Sequence, residues 1–144
     1  MQVYDSHCHI GLDGKVAPED DHSRAVAASV GALLVVGIDA ATSEAARELS
    51  SLPGVRWSAG LHPNDSTKFD EEWPIISELA HDQTCVAIGE TGLDCFRDRT
   101  PLDQQQSSLR AHLALARELN KPVIFHCRDA FDPLFELLDD EEPV

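Results

Sequence analysis

The sequence has no C-x-x-C pair, no G-x-G-x-x-G and no G-x-x-x-x-G-K-[ST]. The first absence argues against a zinc ribbon or a dithiol redox centre. The other two remove the main support for dinucleotide or P-loop binding. Long hydrophobic runs are missing as well: the longest, ALLVVGI at 32–38, is far too short to span a bilayer. The first residues show neither a basic segment nor an apolar one, so no secretory leader is expected. Positive charge is scarce, with 11 Lys+Arg against 26 Asp+Glu and a formal net charge of −15. Such a surface disfavours nonspecific nucleic-acid binding, yet it permits a phosphate-bearing substrate at a cation-loaded site.

What is present fits one domain over 1–144, without internal repeats or low-complexity linkers. The four cysteines, Cys8, Cys85, Cys95 and Cys127, read as reduced and mostly buried thiols, which points to the cytoplasm. Acidic residues collect at the end, and 139–144 reads as a frayed, solvated tail.

Short β-type runs alternate with helical patterns. The first run is Val3-Tyr4 leading into DSHCHI. Pro18 opens a helix that Gly31 can stop. The run at 32–38 reads as a strand covered on both faces. A helix over about 43–52 follows, then a strand at 55–61. Asp70 is the expected cap of the next helix, with Pro74 in its first turn. A fourth strand is expected at 85–90. Thr100-Pro101 reads as cap and first residue of a long helix to about 120, in which His112 lies within the apolar arc and reads as a packed histidine. A fifth strand at 122–127 and a helix opened by Asp132-Pro133 complete five β-α units. This alternation implies a parallel sheet, either open and doubly wound or part of a β/α barrel.

In such folds, function gathers at the C-terminal ends of the strands. There the sequence places Asp5, His7 and His9; Asp39; His62, Asn64 and Asp65; Glu90 and Asp94; and His126, Arg128 and Asp129. His7 and His9 are two apart, so an extended chain points both imidazoles to one face and Cys8 to the other. Glu90 follows an apolar strand, where a carboxylate needs a metal or a charged partner such as Arg128. His126 ends another apolar strand and converges on the same rim.

The segments DSHCH, GLHP, IGETGLDCFRD and PVIFHCRDA together resemble the TatD-type metal-dependent deoxyribonucleases, in order, from Val3 to about Leu138. The resemblance implies a TIM-like β/α barrel, here its first five units as a partial barrel, holding two divalent metal ions (magnesium, manganese or zinc). It implies that His7 and His9 bind one ion, that Glu90 bridges both as the catalytic carboxylate, and that His126 binds the other. It also puts His62 and Arg128 near the scissile phosphate of a DNA substrate, hydrolysed by an activated water. After H-x-H this chain reads Ile10-Gly11-Leu12-Asp13 where the family has Leu-Asp directly. The family's later ligands, a histidine and an aspartate, have no counterpart in these residues, which implies a truncated member with impaired activity. Open edges at the first and last strands further imply self-association. A small-molecule amide or ester hydrolase on the same scaffold would favour a strand-end lysine, and none occurs. A non-catalytic metal-binding half-barrel is the remaining alternative.

Overall fold

The computed structural model describes residues 3–11, 15–97 and 99–144. Five strands alternate with five helices: β1 (Val3–Cys8), α1 (Pro18–Ala27), β2 (Val30–Val36), α2 (Ala40–Leu49), β3 (Val55–Ala59), α3 (Phe69–Ala80), β4 (Cys85–Asp94), α4 (Leu102–Leu119), β5 (Val123–Arg128) and α5 (Phe131–Asp139). A short 3-10 helix, Pro63–Lys68, precedes α3. All strand pairs are parallel and the sheet order is β1-β2-β3-β4-β5. This order decides between the two expected architectures. A doubly wound sheet reverses its order at a switch point, whereas strictly sequential right-handed crossovers keep every helix on one face and curl the sheet into an arc of a barrel.

The curl is visible where strand ends meet. The Glu90 amide donates to Gly37 O at 2.9 Å, so the chain leaving β2 touches β4 directly past β3. That approach leaves no space at Gly60, where a Cβ would lie 2.4 Å from the Gly89 carbonyl carbon. Beneath the rim, the core packs the sheet against α2 and α3 through Leu33, Val35, Trp57, Ile76 and Ile88. Each fully buried side chain of this kind contributes roughly 1.5–3 kcal/mol. Trp57 satisfies its indole N–H on Thr84 Oγ1 at 3.0 Å. A second cluster, Leu93, Leu109, Leu113, Leu134 and Leu137, seats α4 and α5.

Several boundaries differ from the sequence reading. Helix α2 starts at Ala40, because Asp39 and Thr42 form a reciprocal capping box: Asp39 Oδ1 accepts from Thr42 N at 2.7 Å, and Thr42 Oγ1 from Asp39 N at 3.0 Å. Asp39 is therefore spent on a helix and not on the rim. Helix α3 starts at Phe69, so Asp70 lies in its first turn and Pro74 deeper, inside the helix. Thr100 is not a cap; its hydroxyl donates to Asn64 O at 2.9 Å, and α4 begins at Leu102. The C-terminal segment, expected to fray, is tied to α4. Glu141 pairs with Arg110 and with Arg117 (3.1 Å), and Arg117 also donates to Glu142 O at 2.7 Å.

The most consequential difference is β4, which runs past Glu90 to Asp94. From Thr91 to Asp94 it pairs with Phe125 to Arg128 of β5. Gly92 permits this, with φ +145 and a virtual Cβ only 2.0 Å from His126 O. A side chain there would push β5 off the sheet.

Candidate metal centre

His9, His62 and His126 are each oriented by what the second ring nitrogen touches, and this sets the tautomer. On β1, alternation turns Cys8 away to donate to Leu34 O at 3.3 Å. His7 and His9 face the rim, with their Nε2 atoms 3.3 Å apart. His9 Nδ1 lies 3.0 Å from Val36 O, so it carries the proton and leaves Nε2 as a lone pair. That lone pair faces Glu90 Oε2 at 3.7 Å, and His7 Nε2 lies 3.3 Å from the same oxygen.

The other Glu90 oxygen, Oε1, lies 2.9 Å from His126 Nδ1. His126 turns its Nε2 to Asp94 Oδ2 at 3.1 Å. Asp94 is buried and acceptor-only, so Nε2 holds a proton and Nδ1 is the nitrogen offered to Glu90. A lone pair and a carboxylate oxygen at 2.9 Å repel unless a proton or a cation lies between them. His62 completes the group, its Nε2 3.1 Å from His126 Nδ1. Its Nδ1 accepts from the Asn64 amide at 3.2 Å, which puts the neutral ring's proton on Nε2, aimed at the cluster.

The charges follow. Burial alone would raise Glu90, but the His126 hydrogen bond and the charges of His7, His62 and His126 outweigh it and hold the carboxylate below its usual range. A second proton on Nδ1 would hydrogen-bond Glu90, and this raises His126 above the ordinary imidazole value, against burial and with help from Asp94. Burial, then the neighbouring His126, lowers His62. Asp94 is held at about 2: burial works to raise it, but bonds from the Arg97 amide, Asn64 and His126 prevail.

Two three-residue groups thus share one carboxylate: His7, His9 and Glu90; and His62, Glu90 and His126, with the candidate donor atoms of each group within 4.8 Å of one another. The donor chemistry, imidazole nitrogen with carboxylate oxygen around a charge that must be compensated, fits divalent cations. The structure does not form the alternative pairing of Glu90 with Arg128; that guanidinium lies over the Phe96 ring, 3.8 Å from its centroid. Asp5 accepts its own neighbour's amide, His7 N, at 3.1 Å, and Asp65 pairs with Lys68 at 2.9 Å. The sequence reading gave Asp94 and Asn64 a place on the rim but no role, and it did not single out Phe96. Asp94 was legible by counting in twos: in a strand continuing past Glu90, residues 90, 92 and 94 share a face.

A parallel β/α arc with histidines and a shared carboxylate at its strand ends has the build of the barrel-type metal-site proteins. A model described as TatD related DNase matches residues 4–144, and the chain belongs to that family. It is 41% identical over 125 residues to the 3′-5′ ssDNA/RNA exonuclease TatD of Escherichia fergusonii, which covers 84% of this chain and 47% of that protein. An uncharacterized metal-dependent hydrolase of Bacillus subtilis, YabD, is 36% identical over 144 residues, covering 96% and 56%. Among solved structures, the TatD homolog YJJV from Escherichia coli K12 superposes with a TM-score of 0.84 at 30% identity, over 96% of this chain and 55% of that one. The chain spans about half the length of the curated relatives it matches.

Proposed function

We propose that this rim belongs to a metal-dependent hydrolase acting on the phosphodiester bonds of nucleic acid, at a strand end of DNA. The observation that carries the reading is the sharing of Glu90: its two oxygens face separate histidine groups at 2.9 Å and at 3.3–3.7 Å. His7 and His9 would hold one cation, His126 the other, and Glu90 would bridge them. Magnesium, manganese or zinc, when bound as a pair, would neutralise phosphate charge and lower the pKa of a water. The residues do the rest. Glu90, kept ionised by its imidazoles, holds the ligands at fixed spacing. Asp94 orients His126. His62 points an N–H, not a lone pair, at the cluster, which suits a hydrogen bond to a phosphate oxygen and makes it a substrate contact more than a ligand. Arg128 supplies positive charge on the same face of β5, two residues beyond His126.

Four free thiols suit a reducing compartment, and a cytoplasmic setting is part of the proposal. Among the described residues no helix is long and apolar enough to cross a membrane. Self-association through β1 and β5, the outer strands of the sheet, also belongs to it.

The test is native mass spectrometry of the 144-residue chain with added manganese, alongside cation-dependent binding of a single-stranded oligonucleotide. Two bound ions, with both ions and oligonucleotide binding lost in Glu90→Ala, are expected. Undiminished manganese uptake by Glu90→Ala would sink the reading.

A further inference from the structure

Resting on the nucleic-acid reading, we propose that Phe96, backed by Arg128, is a stacking subsite for an unpaired nucleobase beside the metal centre. Phe96 lies in the segment leaving β4 and is 59% exposed, although its ring carries a guanidinium. An aromatic ring in contact with a cation and still largely open to solvent offers a π surface to a further flat partner.

The ring is also tied to the site. Asp94 Oδ1 accepts from the amides of Phe96 (3.0 Å) and Arg97 (2.8 Å), while Oδ2 faces His126 Nε2 at 3.1 Å. One buried carboxylate therefore fixes both a candidate metal ligand and the backbone that carries the ring. The strands repeat this link: Asp94 pairs in register with Arg128, and the Cys95 amide donates to Arg128 O at 2.9 Å. Alternation keeps Arg128 on the face of His126, about 6.6 Å further toward the rim. A phosphate at the metal centre would leave the adjoining base within reach of this platform.

The chain carries only 11 Lys+Arg in a net charge of −15, yet Arg97, Arg99 and Arg128 all fall at this end of β4 and β5. Of the other exposed phenylalanines, Phe131 and Phe135 stack on each other along α5, and Phe125 lies on β5 one residue before His126, where alternation turns it to the opposite face. A base held in a duplex keeps its faces covered by its neighbours, so a stacking subsite favours unpaired strand ends.

The experiment measures fluorescence anisotropy of manganese-loaded chain with two phosphorothioate ligands, a short oligothymidylate and an abasic backbone of equal length and charge. Phe96→Ala should weaken oligothymidylate binding roughly 5- to 150-fold, the range of base–aromatic stacking. Phe96→Trp should restore it, and neither change should alter binding of the abasic backbone. If Phe96→Ala weakens both ligands equally, or neither, the subsite is overturned while the nucleic-acid reading stands. If the unmutated chain binds neither ligand, both fall.

Discussion

His9 and His126 offer imidazoles to the same carboxylate, but they are held in different ways. His9 is set by a main-chain carbonyl, Val36 O, on an outer strand whose residues 3–7 are exposed. His126 is set by a side chain, Asp94, which is itself fixed by Asn64 Nδ2 at 3.0 Å and by two amides. Next to it, His62 follows Leu61, whose amide donates to the fully buried His112 Nε2 at 3.0 Å. At His9 the order thus comes from a main-chain carbonyl, and on the other wall from a chain of buried polar side chains. Backbone anchors survive substitution, whereas side-chain anchors do not. Mutational sensitivity should therefore concentrate on the β3–β5 wall.

Gly92→Ala should break that wall most severely. A Cβ would meet His126 O at 2.0 Å, in a backbone conformation that only glycine adopts easily. Strain and overpacking together should cost about 3 kcal/mol or more. Urea denaturation of the variant should show a large drop in midpoint, and loss of manganese binding should accompany it. A near-normal midpoint would mean that β5 yields readily, and the contrast between the walls would disappear.

The sequence reading found the order of elements and the convergence of His7, His9, His62, Glu90 and His126, because alternation and strand-end logic require only local patterns. It did not decide between an open sheet and a barrel arc, since strand order is a tertiary property and only the resemblance pointed to the barrel. It ended β4 at Glu90 and gave the two glycines of GETGLD no part in the strand. In the fold they are points of close approach to β5, at Ile124 and His126, which lie more than thirty residues away in the chain. Asp39 shows the reverse: it falls at a strand end, and a local capping box claims it. The tautomers of His9, His62 and His126 were not legible, because each depends on a partner brought in by folding.

His112 allows the side-chain anchoring to be titrated. Burial lowers it from 6.5 to about 4, with the Ser108 carbonyl bond opposing. Between those values the unfolded chain takes up a proton that the folded chain refuses. The contribution is therefore complete above about pH 6.5 and is lost as pH falls toward 4. Across the whole window this is on the order of 3 kcal/mol. The thermal midpoint should fall over this range, and His112→Gln should flatten the fall. Hydrogen-exchange protection of the Leu61 amide, taken relative to the intrinsic rate at each pH, should fall in the same window more than protection at the His9 wall. A pH-independent difference between the two proteins would show that His112 is protonated in the fold and that the β3 end is anchored otherwise.

Asp94→Asn tests the smallest step and the most specific one. The substitution keeps the size and the amide acceptor, so the fold and the loop bonds should survive, but the amide cannot hold the His126 Nε2 proton as a carboxylate does. Such outer partners of metal-binding histidines typically change affinity by 10–100-fold. Under the proposed two-cation reading, manganese titration by calorimetry should show a loss of that size for one ion and little change for the one proposed at His7 and His9. Nitrogen chemical shifts of His126 should show mixed tautomers in the variant, a signature that a general loss of stability would not produce. If both ions weaken equally, Glu90 transmits every disturbance between the two groups, and the walls act as one unit. If only the His126 ion weakens, the two walls are separately built around one shared carboxylate.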